Sequence, residues 1–285
     1  MTEIKSGLLA YSQDTLLQED AKQWFTQKTN DLKPGSTFHL TFGMVPRKVG
    51  KDVITLPEDI IALLQTINPE ADQVVWSLDE WCRMLLLLLL PKEDRAETIQ
   101  ALVSAADSRE QRVIYKSVQY LEQPEEFELM LVDGIRTNMI DVYDSIAMHN
   151  NFPQMYFKEG AWNQMVLKGI FMERPIYAIH GLDKRRNADL ARIAIDFAHE
   201  RWSAGRKVTP ELWRLVVPYV DDAITEDLKA VVQHGDPVEQ EAGIKAMVES
   251  NYTEAQTWLK QENYPTQTRG WDEIGAAIVE LSLKI

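Results

Sequence analysis

The chain has 285 residues, 45% of them hydrophobic and 26% charged, an ordinary globular balance long enough to bury a sizeable core in one large domain or two intimate ones. Lys+Arg 30 against Asp+Glu 44 leaves a formal net charge of −14. Such a surface repels phosphate backbones and anionic headgroups, which argues against nucleic acid or an anionic membrane as a partner. The single cysteine, Cys82, excludes an intrachain disulfide and cysteine-based zinc sites.

The N-terminus, Met1-Thr-Glu-Ile-Lys5, lacks the basic-then-apolar layout of a signal peptide, so a cytoplasmic protein is expected. Leu8 to Lys28 places Leu9, Leu16, Leu17, Ala21, Trp24 and Phe25 at rough helical spacing before Asp31-Leu-Lys-Pro-Gly-Ser36 breaks the pattern. Thr37 to Met44 alternates, with Phe38, Leu40, Phe42 and Met44 against His39, Thr41 and Gly43, which predicts a short extended segment. No second run of equal quality offers it a partner, so it reads as a connection rather than a sheet strand. Trp81-Cys-Arg-Met-Leu85 then leads into an apolar run, Met84 to Leu90, that Pro91 ends well short of the ~20 residues of a membrane span. The run predicts a helix buried on all sides, with Cys82 an inert buried thiol and no membrane insertion.

Helix starts recur from Thr55 onward. Thr55-Leu-Pro-Glu58, Ser77-Leu-Asp-Glu80 and Asp236-Pro-Val-Glu239 have capping-box spacing, and Asp107-Ser-Arg-Glu110 is a weaker instance. Thr209-Pro-Glu211 and Gln123-Pro-Glu-Glu126 are further starts. In the last third, Pro210–Val220, Ala223–Gln233, Pro237–Glu249 and Thr253–Gln261 read as successive helices, closed by an amphipathic segment from Trp271 to Leu283. The expected fold is all-α, a set of antiparallel helical hairpins in a HEAT-like α-solenoid array. The expected organisation is an N-terminal helix and extended segment over 1–54, a helical core over 55–220 and a C-terminal helical extension packed on it over 221–285.

Polar and aromatic residues concentrate between Arg136 and Arg214. On the helix through Asn187 to Ser203, Asp196, His199 and Glu200 share a face at i, i+3 and i+4, with Leu190, Ile193, Ala194 and Phe197 opposite. Functionally the face could grip a ligand or act as an acid/base, with Asp196 or Glu200 orienting His199. Structurally it could instead tie neighbouring helices through Arg185, Arg186, Arg201 or Arg214. Trp162-Asn-Gln-Met-Val-Leu-Lys168 sets Asn163 and Lys168 beside apolar positions, and an amide there usually holds a specific partner. Arg136-Thr-Asn138 and His149-Asn-Asn151 flank a further helix, and Asp183 is placed to cap the helix that follows it. The candidate ligand-binding set is therefore Arg136, Asn138, Trp162, Asn163 and Lys168, together with Asp183, Asp196, His199, Glu200 and Arg201. A metal site drawing on Asp183 and the Asp196 triplet would need more ligands than the helix offers, so none is expected, and no cofactor motif is present.

Gly181-Leu-Asp183, Asp196-Phe-Ala-His-Glu-Arg-Trp-Ser-Ala-Gly-Arg206 and Pro210-Glu-Leu-Trp-Arg-Leu-Val216 resemble the EboA family, bacterial proteins encoded in the ebo gene clusters. Upstream, Phe42-Gly-Met-Val-Pro-Arg47 with Gly50-Lys51, Arg136-Thr-Asn-Met139, Tyr156-Phe157 and Trp162 to Lys168 extend the likeness. It covers roughly Phe38 to Pro218 and leaves the residues after about Asp221 outside. It departs at Asn150-Asn-Phe-Pro153, where Asn-Pro-Tyr-Pro is expected, and at Val217-Pro218, where Gly-Pro is expected. The resemblance implies a setting in secondary metabolism, in cyanobacteria the delivery of a sunscreen-pigment precursor to the periplasm, and implies no reaction. The expectation is a helical binding or scaffold protein for a small-molecule metabolite or another ebo-cluster protein. The alternative is a metabolite-modifying enzyme built on His199 with Asp196 or Glu200.

Overall fold

The structure, a computed structural model, describes residues 2–282. It is all-α, with seventeen α-helices and one pair of two-residue strands among the described residues. The chain divides into two compact units, Met1–Phe157 and Lys158–Ile285. That boundary falls inside the 55–220 stretch expected to form one core.

The first unit runs α1 (Thr2–Tyr11), a π-turn at Ser12–Leu16, α2 (Glu19–Asn30), α3 (Ser36–Val49), β1 (Val53–Ile54) and α4 (Glu58–Gln65). β2 (Trp76–Ser77), α5 (Leu78–Leu89), α6 (Lys92–Ala105), α7 (Ser108–Ser117), α8 (Glu128–Gly134), α9 (Ile140–Ala147) and α10 (Phe152–Tyr156) follow. The strands pair antiparallel, Val53 with Ser77 and Ile54 with Trp76.

The extended segment expected over Thr37–Met44 is a helix, α3. Phe38, Thr41, Phe42 and Val45 are its buried residues, a helical stripe at i, i+3, i+4 and i+7. Leu40 and Met44, 70% and 40% exposed, supply the apparent alternation from the opposite face. Pro46 lies inside this helix and has no N–H for the carbonyl of Phe42, four residues back. The Nε–H of Arg83 donates to that carbonyl instead, at 3.0 Å.

α5 is the centre of the first unit and packs against α1, α3 and α7. Trp81, Cys82 and Met84 to Leu88 are all buried, as the unbroken apolar run predicts. Trp81 donates its indole N–H to Ser12 Oγ at 2.6 Å, and burial followed by the Asp79 charge pushes the Cys82 thiol up into the inert range.

The first turn of α5 is acidic and fully buried, which needs compensation. Three cationic residues of α7, Arg109, Arg112 and Lys116, supply it from one helical face. Arg109 holds Asp79 at 2.7 Å, and Lys116 holds Glu80 at 3.1 Å while Arg112 Nε donates to the same carboxylate at 2.8 Å. Arg83 adds Asp79 at 3.4 Å and Glu110 at 3.1 Å. Burial would raise the Asp79 and Glu80 carboxyls, but these hydrogen bonds and charges outweigh it and hold both below the usual range. The Ser77–Glu80 and Asp107–Glu110 boxes both close. Thr55–Glu58 does not, because Pro57 stands immediately before α4.

The second unit comprises α11 (Glu159–Phe171), α12 (Ala188–Ser203), α13 (Leu212–Val216), α14 (Asp222–His234), α15 (Pro237–Glu249), α16 (Thr253–Gln261) and α17 (Trp271–Ser282). α15 packs against α13, α14, α16 and α17 and begins at a closed Asp236–Glu239 box with Pro237 in the first turn. Its Gly243 lets α14 approach closely, since a Cβ there would stand 2.9 Å from Val232 Cγ2. α15 and α16 keep the limits read from the sequence and α17 begins at Trp271 as read, while its expected end at Leu283 lies outside the described residues; caps, turn residues and apolar spacing agree there.

Candidate functional site

Within the second unit the sequence-selected residues fall into two groups, most of them engaged by the fold itself. Trp162 is fully buried with the guanidinium of Arg185 4.7 Å from its ring centroid, and its indole N–H has no hydrogen-bond partner among the described residues. Asn163 and Asn187 exchange amide hydrogen bonds of 3.1 and 2.8 Å. Asn187 also caps α12 by accepting from the Leu190 N–H at 2.9 Å. The cap expected from Asp183 is therefore made by Asn187. Asp183 instead takes two parallel hydrogen bonds from Arg214, at 2.8 and 2.7 Å, and the third arm of Arg214 reaches Asp272 at 2.7 Å. One buried guanidinium thus fastens the turn before α12, α13 and the start of α17. Burial holds the half-buried Lys168 amine below its ordinary range.

The outer face of α12 carries the second group. Asp196 pairs with Arg192 at 3.2 Å in solvent, and Glu200 is exposed. The carboxylate that holds His199 is Asp227 on α14, both of whose oxygens lie 2.9 Å from Nε2. Nothing local to α12 signals that partner, which lies 28 residues away. Arg201 donates to the Lys207 carbonyl at 2.9 Å and approaches Glu173 at 3.8 Å. Arg136 and Asn138 belong to the first unit and are exposed, Arg136 pairing with Asp133 at 3.2 Å.

The second unit contains a cleft of about 340 Å³ that the sequence reading did not anticipate, although Arg201 lines it. Ile170 and Phe171 at the end of α11, Phe197 on α12, Val208 and Pro210, and Val238 on α15 make its surface largely apolar. Phe171 is 74% exposed, a large apolar side chain left open beside a cavity. Arg174, Arg201 and Lys207 bring positive charge to the cleft and Glu173, Asp236 and Glu239 bring negative charge.

Glu211 also lines the cleft while being 3% exposed. It accepts a hydrogen bond from the Tyr177 N–H at 2.6 Å. Burial dominates over the backbone hydrogen bonds from Tyr177 and Ile176 and over the Arg214 charge, and lifts its pKa from 4.5 to about 7. At neutral pH a substantial fraction of it is a neutral acid able to donate a hydrogen bond. The approach of α17 leaves no slack behind it: a Cβ on Gly275 would lie 2.9 Å from Glu211 Oε1 and 2.3 Å from Tyr177 Cδ1. Glu211 sits in Pro210-Glu-Leu-Trp-Arg214, where it reads as an ordinary first-turn acid.

The first unit has its own cavity, about 310 Å³, lined in part by Glu80, Arg112, Lys116, Asp141 and His149. Its cations are already committed to Glu80, and Lys116 also lies 4.1 Å from the Trp76 ring centroid. His149 holds Glu70 at 2.9 Å. Much of the charge on this cavity's lining is thus committed to ion pairs within the unit.

Among the described residues no group of three or more His, Cys, Asp or Glu is placed to hold a metal ion. No helix there is long and apolar enough to cross a membrane. The family model described as metabolite traffic protein EboA matches residues 6–217. Neither the curated proteins nor the solved structures contain a significant match. The matched span takes in Glu211, Arg201 and Phe171, whereas the parts of the cleft contributed by α15 and α17 lie beyond it.

Proposed function

The chain belongs to the EboA family, and from that premise we propose that it is a helical binding protein that carries a small secondary-metabolite precursor within the cytoplasm for transfer to other proteins of its cluster. The observation that carries this reading is the second unit's cleft, a largely apolar cavity with one buried carboxyl of raised pKa among its lining residues. Binding sites for small molecules typically combine concave apolar surface with a few polar groups that fix orientation. Phe171, Phe197 and Val208 would supply the apolar contact, Glu211 the directional hydrogen bond, and Arg201 a cationic group elsewhere on the lining.

This assignment gives the predicted residues different parts. Arg201 acts at the ligand, whereas Asn163, Asp183 and Arg214 position the helices that form the cleft. The test is recovery of the cargo. Protein purified from cells expressing its whole gene cluster is denatured, extracted and analysed by mass spectrometry. A single small metabolite near one equivalent is expected, and Phe171→Ser and Glu211→Ala are expected to lose it. Wild-type protein that emerges empty from producing cells would overturn the carrier reading.

A further inference from the structure

A second cavity in the same unit, about 600 Å³, shares part of its lining with the cleft. Lys207, Val208, Asp236 and Glu239 line both it and the cleft. Lys207 holds Asp236 at 3.0 Å and approaches Glu239 at 3.7 Å, with side chains 75%, 44% and 15% exposed. The lining common to both cavities is thus this ion pair, whose lysine is largely in solvent, together with the buried Val208; ion pairs of exposed lysines are weak. Beyond it, Trp202 and Trp213 also line the second cavity, their rings stacked at 5.6 Å with an interplanar angle of 28°. Trp213 is the buried member of this stack, so the half-buried Trp202 is the indole that presents apolar surface to the cavity, suited to another aromatic ring.

We propose that the cleft and this cavity are two halves of one binding site for a single elongated, largely apolar ligand, its planar aromatic end against Trp202 and its hydrogen-bonding end at Glu211, passing Lys207. The inference rests on the carrier reading of the cleft and extends it to the ligand's shape. Charge agrees with a ligand of low net charge, because Lys207 is matched by Asp236 and Glu239 and Arg201 by Glu173. A strongly anionic or cationic ligand would have to displace these pairs. An elongated apolar one displaces only the Lys207 contact.

Two neutral fluorescent probes test this on the full chain. Diphenylhexatriene is long enough to need both halves, and N-phenyl-1-naphthylamine fits within one. The expected result is one diphenylhexatriene per chain, with affinity falling about tenfold or more in both Phe171→Ser and Trp202→Ala. The short probe should respond to only one of these substitutions. Lys207→Met should tighten the long probe and leave the short one unchanged. Ala230→Trp, introduced on the cavity lining from an exposed position, blocks the indole half without disturbing the core, so the test survives if Trp202→Ala fails to fold. Two long probes per chain, or a long probe sensitive to only one half, would overturn the joined site and leave the cleft reading intact. If neither probe binds more tightly than to Phe171→Ser, both readings fall.

Discussion

Arg83 donates its Nε–H to the carbonyl of Phe42 at 3.0 Å, the acceptor that Pro46 leaves without its helical donor. The same guanidinium lies 5.0 Å from the Phe42 ring centroid and pairs with Asp79 and Glu110. A proline that would ordinarily weaken a helix interior is accommodated by a side chain from a neighbouring helix. Arg83→Met should cost roughly 3–5 kcal/mol, since it leaves buried acceptors uncompensated. Pro46→Ala should be worth about 1 kcal/mol more in the Arg83→Met background than in the wild type, because the restored N–H then has an empty acceptor. Urea unfolding of the four proteins measures this, and equal effects in the two backgrounds would refute the relationship.

The Glu80–Lys116 pair makes a second cycle. Glu80→Gln strands two cations in a buried setting and should destabilise by roughly 3–5 kcal/mol, while Glu80→Gln combined with Lys116→Met should cost less than the two changes summed. Because the Asp79 and Glu80 carboxyls are held low, the stability they contribute is fully present above the ordinary carboxylate range. It disappears as pH falls through their lowered values. Thermal unfolding from about pH 6 to about pH 3 should therefore decline less steeply in Glu80→Gln than in wild type.

Glu211 has the opposite sign. Its folded pKa is raised from 4.5 to about 7, so its stabilising share is complete below about 4.5 and is lost as pH rises through about 7. Glu211→Gln, which keeps an oxygen for the Tyr177 N–H, should raise stability at pH 8 by up to about 3 kcal/mol. The gain should vanish toward pH 4.5. A pH-independent difference between the two proteins would mean that Glu211 titrates alike in the folded and unfolded chain.

The bidentate grip of Arg214 on Asp183 should resist a conservative change. Arg214→Lys keeps the charge but cannot make two parallel hydrogen bonds, and it abandons either Asp183 or Asp272. A loss of roughly 1.5–3 kcal/mol is expected in chemical denaturation. Full stability in Arg214→Lys would show that charge alone suffices there.

His199 should matter little to stability, its side chain being 53% exposed in the Asp227 pair. His199→Ala should cost less than about 1 kcal/mol. Under the carrier reading, His199→Ala and Glu200→Ala should also retain the cluster's metabolite output, while Phe171→Ser and Glu211→Ala should reduce it. Output abolished by His199→Ala in a folded protein would favour the enzymatic alternative.

Features set by near neighbours were legible in the sequence. Ser77–Glu80 and Asp236–Glu239 cap their helices because both partners lie within one turn, and Met84 to Leu88 are buried because no polar residue interrupts them. The segment through Phe38 and Phe42 misled because residues spaced four apart satisfy both a strand's period of two and a helix's i, i+4 stripe. The tie to Arg83 that secures it is invisible locally. The cleft was illegible for a related reason: α11, α12, α15 and α17 all contribute to it, from positions scattered over more than half of the second unit's length. The His199–Asp227 pair is likewise tertiary. What the motif-rich stretch around α12 revealed was kinship, while several of its conspicuous polar groups hold the fold together.

The order in which α5 meets its neighbours bears on how the protein is made. The leucine run leaves the ribosome before α7, and synthesis adds about 5–20 residues per second. For a second or more, the most oily segment of the chain and the acids Asp79 and Glu80 emerge without Arg109, Arg112 and Lys116. α1 and α3 are already made and can shelter part of the run, since both pack on α5 in the finished unit. Nascent chains stalled at lengths that place α5 outside the ribosome with α7 still inside it should therefore be strong clients of chaperones, and release from them should coincide with the emergence of α7.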